Sequence, residues 1–267
     1  MTNPPSRQSA WPFAVLVMAL ATITAAAQDA PLRVMEATFK LFNKDSTATG
    51  FFIQPVAGGS VVLVTAAHVF KRMSGDDALL VLRQPKDDGT WVRKDHRFAV
   101  RAQDKDLWTT HPKHDVAAMR LTLPADALVK PLPLSCLADE AALLAAKVQY
   151  GSPLRILGYP TRFEANSAGF PILRHGSIAS HPLVPVGAYP TFLADFTTFA
   201  GDSGGPVILA GDANAEPLVL GLVLSQHRND EKVVSMYEER TIHTPLMLSD
   251  IVHATVIRET IALLPGE

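Results

Sequence analysis

The sequence predicts an all-β protein built as two six-stranded antiparallel β-barrels with a C-terminal helix. Apolar and polar residues alternate with period two in short runs, as where Met35, Ala37, Phe39 and Leu41 alternate with Glu36, Thr38 and Lys40. Turn signals such as Gly58-Gly59 and Asp88-Gly89 separate these runs. The strand-helix-strand alternation of a doubly wound sheet is missing, which leaves antiparallel pairing and closed barrels as the way to bury the strands.

The first 27 residues form a separate unit. Arg7 is the only charge before Asp29, and the chain from Trp11 to Ala27 is apolar or small, ending Thr24-Ala25-Ala26-Ala27. A basic start, an apolar middle and an A-x-A end at Ala25 and Ala27 make residues 1–27 a secretory signal peptide, so the exported chain begins at Gln28. The apolar stretch is at the short limit for a membrane span, and no later segment reaches that length. Once cleaved, the protein is expected to be free of the membrane, in the periplasm or outside the cell.

The first barrel spans 28–135, with strands expected at 35–42, 49–53, 60–65, 78–83, 97–102 and 116–122. Residues 136–150 read as the inter-barrel linker, because Asp139 to Lys147 is the first helical run after a Pro- and Ala-rich stretch. The second barrel spans 151–245, with strands at 153–158, 170–179, 190–195, 205–209, 217–224 and 233–237. Thr244 as N-cap and Pro245 at the first helical position then open a helix over 246–267, with Ala254, Ile257, Ile261 and Leu264 on one face.

Composition removes several classes of function. The chain has 267 residues and a formal net charge of −2, with no basic run to hold a nucleic-acid backbone. Its single cysteine, Cys136, cannot form an intrachain disulfide or a multi-cysteine metal site, and it sits beside Leu134 and Leu137 like a buried small hydrophobe. No cofactor is implied.

Three segments carry chemistry: Thr65-Ala66-Ala67-His68, His114-Asp115 and Gly201-Asp202-Ser203-Gly204-Gly205-Pro206. A serine hydroxyl is a poor nucleophile at neutral pH. It needs an imidazole to take its proton and a carboxylate to hold that imidazole in the right tautomer. His68, Asp115 and Ser203 supply one of each, spaced 47 and 88 residues apart, with His68 and Asp115 in the first barrel and Ser203 in the second. Each alone has a plainer reading: a boundary histidine, a loop aspartate, a glycine turn. Together they define a cleft between barrels. Gly201, Gly204 and Gly205 allow a turn that aims peptide N–H groups at a developing oxyanion.

These motifs, with Thr49-Gly50-Phe51-Phe52 and Gly158-Tyr159-Pro160, make the chain resemble the trypsin/chymotrypsin-like serine peptidases, in particular the exported bacterial type. The resemblance covers essentially all of the chain after the signal and implies a chymotrypsin-like fold acting on protein or peptide substrates. It makes His68 the general base, Asp115 its orienting partner and Ser203 the nucleophile, with the N–H groups of Gly201 and Ser203 as the oxyanion hole. It also places Thr197 and Thr198 at the base of the primary specificity pocket, with Leu224, Ser225, Gln226 and nearby His227 on a wall. No acidic residue stands at that base, so an Arg or Lys side chain finds nothing to offset its desolvation. Small or medium apolar side chains are expected there, and His227 keeps acidic ones open. In animal relatives a new N-terminal ammonium pairs with the aspartate before the nucleophile. The usual apolar pair is missing around Gln28, so Asp202 is expected to meet another donor.

Three rivals remain to be weighed. Gly201-x-Ser203-x-Gly205 also fits the nucleophile elbow of an α/β-hydrolase, but Pro206-Val207-Ile208-Leu209 reads as strand where that fold wants a helix. His111, His114 and Asp115 resemble metal ligands only until Pro112, Lys113 and the lack of a distant third motif are considered. The alternative from another class is a latent or inactive peptidase fold acting as a protein-binding module.

Overall fold

The computed structural model describes residues 29–211 and 216–266. The expected signal peptide lies outside the described residues.

Helix Asp29–Ala37 comes first, with Pro31 in its first turn and Val34 and Ala37 buried one turn apart. Residues 35–37 were expected to be strand; the helix instead buries Val34 and Ala37, three apart, and leaves Met35 half-buried. Strands β1 (Thr38–Phe42), β2 (Thr47–Gln54), β3 (Val62–Thr65), β4 (Asp77–Pro85) and β5 (Trp91–Ala99) follow, and helix Ala67–Arg72 leaves β3 after one residue. Beyond them lie β6 (Arg101–Ala102), β7 (Lys105–Asp106), β8 (Thr109–Thr110), β9 (Ala117–Arg120) and β10 (Leu132–Pro133).

The first sheet runs β5-β4-β1-β2-β3-β9-β8, with β10 added parallel to β2. It has eight strands rather than six, and among the described residues no hydrogen-bonded ladder closes it. The cause is visible in β5. Arg93, Lys94, Asp95 and Arg97 line it with charge, which suits an edge strand that pairs only with β4. The strand expected at 97–102 is divided, its second half pairing as β6 with β7 alone.

The second sheet is a closed six-stranded barrel, β11 (Pro153–Gly158), β12 (Ile172–Ile178), β13 (Thr191–Asp195), β16 (Glu239–His253), β15 (Val219–Val234) and β14 (Pro206–Leu209) in ring order. Expected strands 217–224 and 233–237 merge into the long β15 and the turn after it. Thr244 and Pro245 do not cap a helix; they sit in β16 opposite Asn229 and Arg228. Pro245 is tolerated there because the ribbon is exposed and its register slips between Gln226 and Arg228. The helix is shorter than expected, Ala254–Ala262, and buries Ala254, Ile257 and Ile261. The linker carries helix Glu140–Ala145, whose first turn is capped by the Asp139 carboxylate accepting from the Ala142 N–H at 2.9 Å.

One continuous apolar core joins both sheets, from Val34, Phe39 and Phe52 to Leu222, Ile251 and Ile257. Cys136 is buried in it, and burial together with nearby Glu216 pushes its thiol pKa up to about 11. Among the described residues, no helix is long and apolar enough to cross a membrane.

Candidate active site

β3 ends at Thr65, and the helix starting at Ala67 places His68 in its first turn. The loop before β9 brings Asp115 beneath it. Asp115 accepts twice from the same residue, Oδ1 from the His68 backbone N–H at 2.7 Å and Oδ2 at 2.5 Å from Nδ1. Burial pushes the Asp115 carboxyl up, but the ring and backbone bonds from His68 and the charges of His68 and Lys71 outweigh it, leaving the pKa below its ordinary value. The carboxylate therefore stays ionised beside the imidazole. His114, its neighbour, lies in the loop rather than on a strand face. Its ring stacks on His111 at 4.8 Å, and His111 Nε2 engages Glu259 at 3.1 Å.

The second sheet delivers Ser203 on the turn before β14. Gly201 and Gly204 there have φ of 105° and 86°, in the left-handed region. A Cβ on Gly201 would stand 2.2 Å from the Tyr159 carbonyl oxygen, and one on Gly204 2.2 Å from that of Thr49. Thr49 of β2 ties this turn to the first sheet: its N–H donates to the Ser203 carbonyl at 3.0 Å and its hydroxyl to the Gly201 carbonyl at 2.7 Å. The Gly201 and Ser203 N–H groups have no backbone acceptor among the described residues. Ser203 and His68 line the same two cavities, of about 250 and 430 Å³. The Ser203 hydroxyl donates to the Leu224 carbonyl at 3.1 Å.

Asp202 is fully buried, and its donor is Arg174, whose Nη2 bonds Oδ1 while Nη1 reaches the Thr197 carbonyl at 3.0 Å. The Phe199 N–H donates to Oδ2 at 2.7 Å. Burial raises the Asp202 pKa, and the Arg174 hydrogen bond and charge counter it in part.

Of the expected pocket residues, Thr198 and Ser225 line the larger cavity together with Leu224 and Gln226. Thr197 does not; it faces a separate depression with Leu173 and Phe196. His227 is also outside, because the irregular register of β15 turns its ring to Asp250, whose Oδ1 lies 2.9 Å from Nε2 and whose Oδ2 accepts from Ser225 at 2.6 Å. Sequence reasoning missed Ser249, whose buried hydroxyl meets that of Thr198 and donates to the Phe196 carbonyl at 2.6 Å. It also missed Arg174, which no local motif marks.

A family model described as a trypsin-like peptidase domain matches residues 48–214, more than half of the chain. The chain belongs to the trypsin-like peptidase family. Solved structures of similar fold include an inactive form of the Rv3671c protease of M. tuberculosis, at 19% identity and a TM-score of 0.50, with 92% of this chain and 96% of that one covered. Another is the protease Anisep from Arthrobacter nicotinovorans, at 14% identity and a TM-score of 0.50, covering 85% of this chain and 94% of that one. No curated protein matches. At these identities the structural likeness speaks for the fold, and the family assignment rests on the domain match.

Proposed function

We propose that this trypsin-like peptidase is an exported serine endopeptidase working through an acyl-enzyme. The observation that carries the reading is the doubly bonded His68–Asp115 pair facing the cavities that Ser203 lines. The Ser203 hydroxyl turns from the Leu224 carbonyl to His68 Nε2, gives up its proton and bonds to the scissile carbonyl carbon. The Gly201 and Ser203 N–H groups hold the resulting oxyanion. As the C–N bond breaks, His68 returns the proton to the leaving amine, and a water activated by the same imidazole releases the acyl group. Asp115 keeps Nδ1 protonated and stabilises the imidazolium. Arg174 takes the part of a new N-terminus by holding Asp202, so no proteolytic insertion is needed.

The larger cavity presents Thr198, whose hydroxyl is held by the buried Ser249 behind it, and the His227 ring outside is engaged by Asp250. Small or medium uncharged side chains before the scissile bond fit this best. Export rests on the pattern of residues 1–27 and predicts that intact-mass analysis finds the secreted chain beginning at Gln28; retention of Met1 would contradict it.

With casein or a peptide pool, Ser203→Ala, His68→Ala and the double variant are expected to share one floor, kcat falling by roughly 10⁴ to 10⁶, because the groups act as a unit. Asp115→Asn should cost about 10⁴ through the wrong tautomer, and His114→Ala little. Additive losses, or a His114→Ala defect equal to that of His68→Ala, would sink the assignment. The second reading, a latent fold that only binds proteins, is favoured by the Ser203 hydroxyl bonding Leu224 rather than His68. It requires that the wild type cleave none of these substrates.

A further inference from the structure

We propose that Arg162 and Arg72 form an acid-recognising subsite on the leaving-group side, selecting substrates with Glu or Asp in the first or second position after the cleaved bond. The proposal rests on Ser203 being the nucleophile. His68, Arg72, Ala200 and Ser203 border both cavities. The larger continues to Thr198, Leu224 and Gln226 and takes the acyl side. The smaller is bordered by Thr47, Gly201 and Arg162 in place of Thr198 and Leu224, and takes the leaving peptide.

Two guanidinium groups border it against one carboxylate, Asp45. Arg93, Arg97, Arg101, Arg174 and Arg228 each pair with a carboxylate, whereas the exposed Arg240 has none among the described residues. Among the described residues Arg72 and Arg162 pair with none, although both are exposed in the same cavity. Asp45, the carboxylate that also borders it, accepts from the Ser74 hydroxyl and forms no ion pair with either guanidinium. A guanidinium fork suits a carboxylate in two-point contact, and both forks here are free to take one from an incoming chain.

The backbone that presents Arg162 is strained. Thr161 and Arg162 have φ of 48° and 71°, two successive non-glycine residues in the left-handed region. The conformation is held from three sides. The Thr161 N–H donates to the Ala200 carbonyl at 2.7 Å, the Arg162 N–H to the Tyr159 carbonyl at 3.1 Å, and Lys40 Nζ to the Arg162 carbonyl at 2.8 Å. Strain of this kind persists where surrounding structure enforces it, and it concentrates at working sites. Its effect is to fix Arg162 beside the Ala200-Gly201 peptide, next to the oxyanion turn.

The test uses internally quenched peptides with one common acyl-side sequence and Glu, Ala or Lys at the first and second leaving-group positions. Exposed ion pairs are weak and two-point contacts stronger, so kcat/KM for Glu should exceed that for Ala by about fivefold to tenfold, with Lys below Ala. High salt should shrink the contrast. Arg162→Asn, which accepts left-handed backbone, should reduce the preference and Arg162→Glu turn it towards Lys, whereas Arg97→Gln, remote on β5, should leave it intact. Phosphonate labelling of Ser203 reads the nucleophile without any leaving peptide. Normal labelling with equal cleavage of the Glu and Ala peptides overturns the subsite and spares the triad; neither labelling nor cleavage overturns both.

Discussion

Asp202 and His253 are ionisable groups held out of solvent, one beside Ser203 and one at the end of β16. Asp202 needs a cation because an unpaired buried carboxylate is strongly unfavourable, and Arg174 supplies it from β12. Replacing Arg174 with Met is expected to cut kcat/KM by about 10² to 10³, the scale of a lost oxyanion donor, and to lower the thermal midpoint. Arg174→Lys should recover part of the activity, and adding Asp202→Asn to Arg174→Met should recover stability without activity. Equal activity in Arg174→Met and wild type would show that Arg174 does not position the turn. His253 is 1% exposed with Nε2 unpartnered, and burial pushes its pKa down to about 4 from an ordinary 6.5. Because the unfolded imidazole takes a proton first, this contribution is complete above pH 6.5 and is lost as the pH falls towards 4. The loss is about 3 kcal/mol over that window. Thermal midpoints should fall between those pH values, and His253→Met should flatten the fall; an unchanged slope would contradict it. The grouping of the proposed triad residues His68, Asp115 and Ser203 on one cavity was legible because short motifs mark them. Arg174, Ser249 and Arg162 were not, since their roles come from contacts made across the fold, 28 residues apart for Arg174 and Asp202 and 51 for Thr198 and Ser249.

Strand signals served best where both neighbours are strands, as at 153–158, which β11 reproduces. They failed where alternation or a Thr-Pro pair can serve two structures. Ala37 fits both the alternation with Met35 and the three-residue spacing with Val34, and Thr244-Pro245 has the chemistry of a helix start yet lies in a ribbon whose pairing is tertiary. That ribbon, the outer part of β15 and β16, pairs Asp230 with His243 and Val234 with Glu239 and buries almost nothing: Met236 and Tyr237 at its end are 90% and 94% exposed. Replacing residues 231–242 with Asn-Gly supplies a turn matched to a hairpin's twist. It should shift the thermal midpoint by no more than a few degrees and leave the barrel folded. A collapse in stability would mean that the arm holds the barrel together.

The whole molecule joins an open, charge-edged first sheet to a closed second barrel, and the site exists only where they meet. Thr49 bonds from β2 to both the Gly201 and Ser203 carbonyls, so the position of Ser203 depends on the first sheet as much as on its own turn. The split between the sheets that hold His68 and Ser203 was legible from the order and spacing of the motifs. Lack of closure was not, because charge on β5 distinguishes an edge only once its neighbours are known. All of this converges on a nucleophilic Ser203 activated across the junction. Wild-type protein should therefore be treated with an active-site phosphonate and the adduct located by peptide mass mapping. One adduct per chain on Ser203 is expected, absent in Ser203→Ala and slowed by at least about 10³ in His68→Ala. No adduct on folded wild-type protein, or an equal rate in His68→Ala, would contradict it.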